Sequence, residues 1–140
     1  MILLDSNVIS EFMVQFPEER VVRWLDAQPR MSVWTTSINV YEIRTGLLAM
    51  PAGKRRSAVE NHFEQLIRDL FQGRIVSFDA LSAEMAAGLA ADRRRRGRSG
   101  EVRDTMIAGI VLANHATLAT RNVRHFEDIA KSVVNPWERE

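Results

Sequence analysis

The sequence predicts an α/β fold, a mainly parallel sheet flanked by helices, and three observations predict it. Short apolar runs recur at residues 1–4, 32–35, 75–78, 117–120 and 133–134. Helical periodicity fills the intervals, and strands joined by helices pair in parallel. Asp5 and Asn122 each follow a predicted strand directly, on the edge where open α/β sheets gather their ligands. A chain of 140 residues suits one core, so residues 1–140 are read as a single domain. No repeat or linker divides it, and spacing alone leaves the strand order open.

Residues 1–4 form a buried strand ended by Asp5, which with Ser6 stands ready to cap a helix through Val8, Ile9 and Phe12. Pro17, Glu18 and Glu19 open a second helix, with Val21, Val22 and Leu25 on its apolar face and Pro29 interrupting it. After the strand at 32–35, Thr36 or Ser37 caps a helix whose stripe is Val40, Ile43, Leu47 and Met50. Glu42 flanks that stripe, and Pro51-Ala52-Gly53 breaks the helix. The helix at 54–71 carries Val59, Phe63, Leu66, Ile67 and Leu70 at helical spacing and stops at Gly73. Past the strand at 75–78, Asp79 caps an alanine-rich helix that carries Leu81, Met85 and Leu89 into a run of arginines. A loop at 98–100, a helix at 103–115 and the strands at 117–120 and 133–134 complete the chain.

Composition narrows the class of function. The absence of cysteine excludes disulfides, thiol catalysis and cysteine-ligated zinc. No apolar run approaches the roughly 18 residues that span a bilayer, and no basic region opens a signal peptide, so a cytoplasmic protein without a membrane partner is expected. The net charge of +1 conceals a bias, because 17 of the 19 basic residues are arginine. Arg93, Arg94, Arg95 and Arg96 adjoin, with Arg98 close behind. Guanidinium forks match phosphate geometry, whereas cations at a helix C-terminus also suit the macrodipole and solubility. Both readings stand at this level.

Three acids carry the chemistry: Asp5, Glu42 and Asp104, far apart in sequence but each at the end of a strand or on a periodic helix. Carboxylates gathered without counter-charge raise one another's pKa values, so such a pocket anticipates a cation, Mg²⁺ or Mn²⁺. Each acid also has a plain structural reading. Asp5 and Asp104 suit helix caps, Arg103 offers Asp104 an ion pair, and Arg44 offers one to Glu42. Asn122 serves equally as a turn residue, and Ser6 and Asn7 either support a carboxylate or satisfy helix-start amides. Convergence of the whole set is the argument for function. Of the histidines, His62 and His115 read as surface residues, and His125 as a turn residue bordering the site. Trp24, Trp34 and Trp137 read as core or interface rather than a stacking ladder.

These segments resemble a known family, the PIN-domain ribonucleases, and within it the VapC toxins of bacterial toxin–antitoxin pairs. Leu3-Leu4-Asp5-Ser6-Asn7-Val8-Ile9-Ser10 resembles the opening motif, and Tyr41-Glu42-Ile43-Arg44-Thr45-Gly46-Leu47 the second acidic motif. Asp104-Thr105-Met106-Ile107-Ala108 is similar to the third and Leu118-Ala119-Thr120-Arg121-Asn122 to the fourth. The closing Val134-Asn135-Pro136-Trp137 resembles the ending of the FitB-like branch. The resemblance implies a three-layer sandwich and metal-dependent hydrolysis of RNA. Asp5, Glu42 and Asp104 then serve as metal ligands, directly or through water, oriented by Ser6, Asn7 and Asn122.

Some family members carry an aspartate where this chain has Asn122. A neutral amide adds no charge, so one firmly held ion is expected, with a second depending on substrate phosphate. Arg121 and the run Arg93, Arg94, Arg95, Arg96 and Arg98 are expected to hold the RNA backbone. The resemblance also implies a homodimer and a cognate antitoxin that blocks the acidic groove, forms a hetero-oligomer and alone contacts DNA. Two other readings stand beside it. One is a catalytically silent PIN-like module binding RNA or protein, and the other a haloacid-dehalogenase-like phosphatase, whose second aspartate would fall at Asn7.

Overall fold

A computed structural model describes residues 1–98 and 100–138. Ser99, within the expected loop at 98–100, lies outside the described residues, as do Arg139 and Glu140 at the end of the expected domain.

Five strands form one sheet: β1 (Ile2–Leu4), β2 (Val33–Thr36), β3 (Ile75–Val76), β4 (Thr117–Ala119) and β5 (Val133–Val134). Their order is β3-β2-β1-β4-β5, and every pair is parallel. β1 is central, with Leu3 opposite Trp34 on one side and Leu118 on the other. Six helices accompany the sheet: α1 (Ser6–Glu11), α2 (Glu19–Asp26), α3 (Ser37–Ala49), α4 (Lys54–Gln65), α5 (Ala80–Arg95) and α6 (Val102–Ala113).

Alternation along the strands divides the core in two. Leu4, Val33 and Ala119 pack with Val8, Ile9, Val21, Ile43, Phe63 and Phe71 on the α1–α4 face. Leu3 and Leu118 pack with Ile107, Ile110, Val111, Phe126 and Ile129 on the opposite face. The result is the α/β three-layer sandwich expected. Strands buried on both faces need near-continuous apolar sequence, which is what Ile2-Leu3-Leu4 supplies. Trp24 and Trp137 pack against the first core and Trp34 against the second. Among the described residues no helix is long and apolar enough to cross a membrane.

Several expectations need correction. The helix at 54–71 is regular only to Gln65, then widens into a π-helical turn, Leu66–Phe71. It ends at Phe71 as expected, where Gln72 and Gly73 both adopt left-handed conformations at φ 50° and 75°. The sequence reading had no counterpart for the 3₁₀ segment Val123–Ser132, which buries Phe126 and Ile129.

On α5, Leu81 and Met85 remain exposed while Ser82 and Ala86 face inward. The cause is the closeness of α6. A Cβ on Gly109 would stand 2.5 Å from the Ser82 carbonyl oxygen and 2.7 Å from the Ala86 Cβ, so only small residues fit at this crossing.

Candidate active site

Asp5 leaves β1 with its amide still in the ladder, donating to the Ala119 carbonyl at 2.9 Å, and caps α1. It is 5% exposed. Three donors fix its carboxylate. Oδ1 accepts from the Ser6 amide at 2.9 Å and from Asn39 Nδ2 at 2.8 Å, and Oδ2 accepts from the Thr120 hydroxyl at 2.7 Å.

Each donor is itself held. The Thr36 hydroxyl caps α3 by accepting from the Asn39 amide and donates to Asn39 Oδ1 at 2.6 Å, which aims the amide NH₂ at Asp5 and at Ser6 Oγ. The Thr120 hydroxyl accepts from Asn7 Nδ2 and from the Asn122 amide, while Asn7 Oδ1 accepts from the Arg121 amide. Ser6 and Asn7 thus brace the start of α1 against the turn after β4.

Glu42 stands one turn along α3 from Asn39. Its Oε1 is buried and has no hydrogen-bond partner among the described residues. Burial, then the neighbouring Asp5 charge, with a smaller contribution from Asp104, pushes its pKa from 4.5 to about 7 against the opposing pull of Arg103. Arg44 does not neutralise it, as it pairs instead with Glu64 and lies over the Phe63 ring.

Asp104 occupies the first turn of α6 without capping it, since Glu101 is the cap residue. Burial and the Asp5 charge raise its pKa too, while His125 opposes the shift, its Nδ1 lying 3.0 Å from Asp104 Oδ2. Arg103 turns away to Glu101. Asp5, Glu42 and Asp104 therefore form one electrostatically coupled set. Asn122 sits in the turn beyond Thr120, exposed, and joins the set only through its backbone amide on Thr120.

The arginines separate into distinct roles. Arg93 is not available to a ligand backbone: it is 7% exposed and grips Asp128 through Nε and Nη2. The reason is helix phase, because Arg93 follows Ser82 and Ala86 on the inward face of α5. Arg94, Arg95, Arg96, Arg98 and Arg121 are exposed. Arg95 and Arg96 pair with Asp92, Arg98 pairs with Glu127, and Arg121 lies over the Trp137 ring at 4.9 Å.

Asn39 and Thr120, which orient Asp5, were missed as site residues by the sequence reading. One signal was present, since Thr36 and Asn39 have helix-capping spacing one turn before Glu42. His125, expected as a turn residue bordering the site, contacts Asp104.

The residues suit a hard divalent cation. Among the described residues no three Asp, Glu or His side chains are gathered closely enough to hold an ion by themselves. Mg²⁺ needs none, because it keeps several waters and takes one or two carboxylates together with substrate phosphate. The buried, unsatisfied Glu42 oxygen and the mutual repulsion of the three acids are the features such a charge would relieve. An opening of about 270 Å³ lies between α1 and α3 and is lined by Ser6, Met13, Glu42 and Gly46.

Comparison with known proteins bears on the family and the fold. The PIN domain family model matches residues 2–132. The chain is 41% identical over 138 residues to plasmid stability protein StbB of Pseudomonas syringae pv. tomato, covering 99% of each. It is 38% identical over 138 residues to VapC ribonuclease Y4jK of Sinorhizobium fredii, again covering 99% of each. The crystal structure of FitAcB from Neisseria gonorrhoeae superposes with a TM-score of 0.89 at 37% identity, over 99% of this chain and 100% of that one.

Proposed function

The chain belongs to the PIN-domain family, and on that premise we propose that it is a metal-dependent endoribonuclease, the toxin of a toxin–antitoxin pair. It hydrolyses RNA phosphodiester bonds at Asp5, Glu42 and Asp104, and a cognate antitoxin silences it. The ribonuclease name of the Sinorhizobium relative supports the activity. The observation that carries the reading is the Glu42 carboxyl, buried, unsatisfied at Oε1 and raised to about 7 beside two other acids. Structural carboxylates find partners; groups tuned toward neutrality in a pocket serve ions and protons.

Asp5, Glu42 and Asp104 would hold a Mg²⁺ or Mn²⁺ ion, directly or through water. When bound, the ion supplies an acidified water and positive charge beside the phosphate under attack. Asn39, Thr120 and the Ser6 amide keep Asp5 in one orientation, so its oxygens need no rearrangement when substrate arrives. The Glu42 carboxyl would take the proton of the attacking water, a role suited to a pKa near neutrality. Asn122 supports the Thr120 hydroxyl through its backbone amide and adds no charge. Arg94, Arg95, Arg96, Arg98 and Arg121 attract the RNA backbone.

The protein acts as a homodimer and is held with its antitoxin in a hetero-oligomer whose contact with DNA belongs to the antitoxin. The opening beside Glu42 admits an antitoxin side chain of basic character. The phosphatase reading is set aside with the family match, and Asn7, where that chemistry needs an acid, is occupied with Thr120 and Arg121. The silent-module reading rests on the uncharged Asn122, and RNA binding without turnover would favour it.

Cleavage of total cellular RNA by partner-free protein, in Mg²⁺ or Mn²⁺ against EDTA, tests the proposal. Discrete metal-dependent fragments, lost in a folded Asp5→Ala variant, are expected. Fragments that persist in EDTA or in Asp5→Ala would overturn it.

A further inference from the structure

Beside Asp104, the end of α5, the start of α6 and the 3₁₀ segment enclose a cleft of about 300 Å³ edged by Arg98, Glu101, Asp104, Arg124 and His125. Its wall is fixed by a single buried side chain. Arg93 donates to Asp128, from Nη1 to Thr105 Oγ1 at 2.7 Å, and from Nη2 to the His125 carbonyl at 3.3 Å. The three elements that shape the cleft are thereby tied to one guanidinium.

The charges around the cleft then single out one residue. Arg93 is matched by Asp128, Arg98 by Glu127 and Glu101 by Arg103. Asp104 has His125 beside it. Arg124 is exposed and among the described residues has no carboxylate within ion-pair distance. Arg124 thus stands on the rim of a polar cleft that Asp104, one of the three acids, helps to line.

Resting on the ribonuclease reading, we propose that this cleft seats a backbone phosphate of the RNA next to the one being cut, with Arg124 supplying the charge that holds it. A strand laid across Asp5, Glu42 and Asp104 meets like charge, so its binding requires a cation immediately beside them. The planar guanidinium matches the paired oxygens of a phosphodiester. A strand of RNA carries one such group per nucleotide, so the neighbour of the scissile phosphate is the group brought to this rim.

The test titrates the full-length protein, Arg124→Ala and Arg124→Lys, in EDTA, with a fluorescent single-stranded RNA of random sequence over a series of salt concentrations. Arg124→Ala should bind roughly tenfold more weakly. The slope of log affinity against log salt should fall in magnitude by about 0.7, one phosphate contact on a single strand. Arg124→Lys should keep the slope. In Mg²⁺, Arg124→Ala should raise KM while leaving kcat within about twofold. Unchanged affinity and slope in Arg124→Ala would overturn the assignment. So would intact RNA binding with weakened capture of the antitoxin, which would make the cleft a protein contact. Failure of the ribonuclease reading looks different: no cleavage by the unaltered protein, with the Arg124-dependent slope still present.

Discussion

Arg93 and Asp128 meet as a two-pronged ion pair, Nε to Oδ2 at 2.7 Å and Nη2 to Oδ1 at 2.8 Å, with both side chains nearly closed off from solvent. Removing one member strands the other charge away from water. Asp128→Ala and Arg93→Ala should each destabilise the fold by about 3–5 kcal/mol. Arg94→Ala, one position along the same run, should change it by less than about 0.5 kcal/mol. Urea unfolding followed by circular dichroism checks this, and equal effects at the two arginines would contradict the assigned burial.

The raised Glu42 and Asp104 pKa values make stability depend on pH. A carboxyl whose folded pKa exceeds its unfolded value favours the fold at low pH and loses that contribution as pH rises through the folded pKa. For Glu42 the window runs from 4.5 to about 7. In EDTA the melting temperature of the natural sequence should therefore fall, relative to Glu42→Gln, between pH 5 and pH 8. Mn²⁺ should restore more stability at pH 8 than at pH 5, because binding needs the ionised carboxylates. Parallel pH profiles for the two proteins would refute the shift.

Thr120→Val removes the hydroxyl that donates to Asp5 Oδ2 while keeping its shape. Outer partners of metal-binding carboxylates typically account for about 10–100-fold in affinity. Calorimetric titration with Mn²⁺ should show a loss in that range with the circular dichroism spectrum retained. Undiminished affinity would mean that the Asn39 and Ser6 contacts suffice.

Gly109→Ala places a methyl group 2.5 Å from the Ser82 carbonyl oxygen, a backbone atom that yields only if the α5–α6 crossing opens. Overpacking of this kind costs about 1–3 kcal/mol. Gly88→Ala, where a Cβ meets nothing within 4 Å, is the control and should be neutral or stabilising. A denaturation midpoint for Gly109→Ala equal to that of the natural protein would show that the helices separate freely.

The elements legible in the sequence are those with a strong local signal. The run 133–134 matches β5, and the strands ending at Asp5 and before Asn122 lie in the sheet as expected. What escaped depends on contacts between distant segments. Asn39 reaches Asp5 across 34 positions, and its capping spacing from Thr36 marks the start of a helix but not the carboxylate it meets. The 3₁₀ segment is short-ranged and non-periodic, so the burial of Phe126 had no repeating stripe to announce it. Arg93 was legible in principle. Four consecutive helical positions point in four directions, and the small residues Ser82 and Ala86 mark which of them faces inward. An arginine run read as uniform surface loses that distinction.

The central position of β1 also has a temporal meaning. Thr120 grips Asp5 across 115 positions, and β1 lacks one of its two neighbours until β4 is made. At ordinary rates of synthesis the two residues leave the ribosome roughly 6–23 s apart. A nascent chain interrupted before its fourth strand has the first acid but neither the hydroxyl that orients it nor half of the sheet that carries it. The order of the strands thus makes completion of the Asp5 site wait on the synthesis of β4.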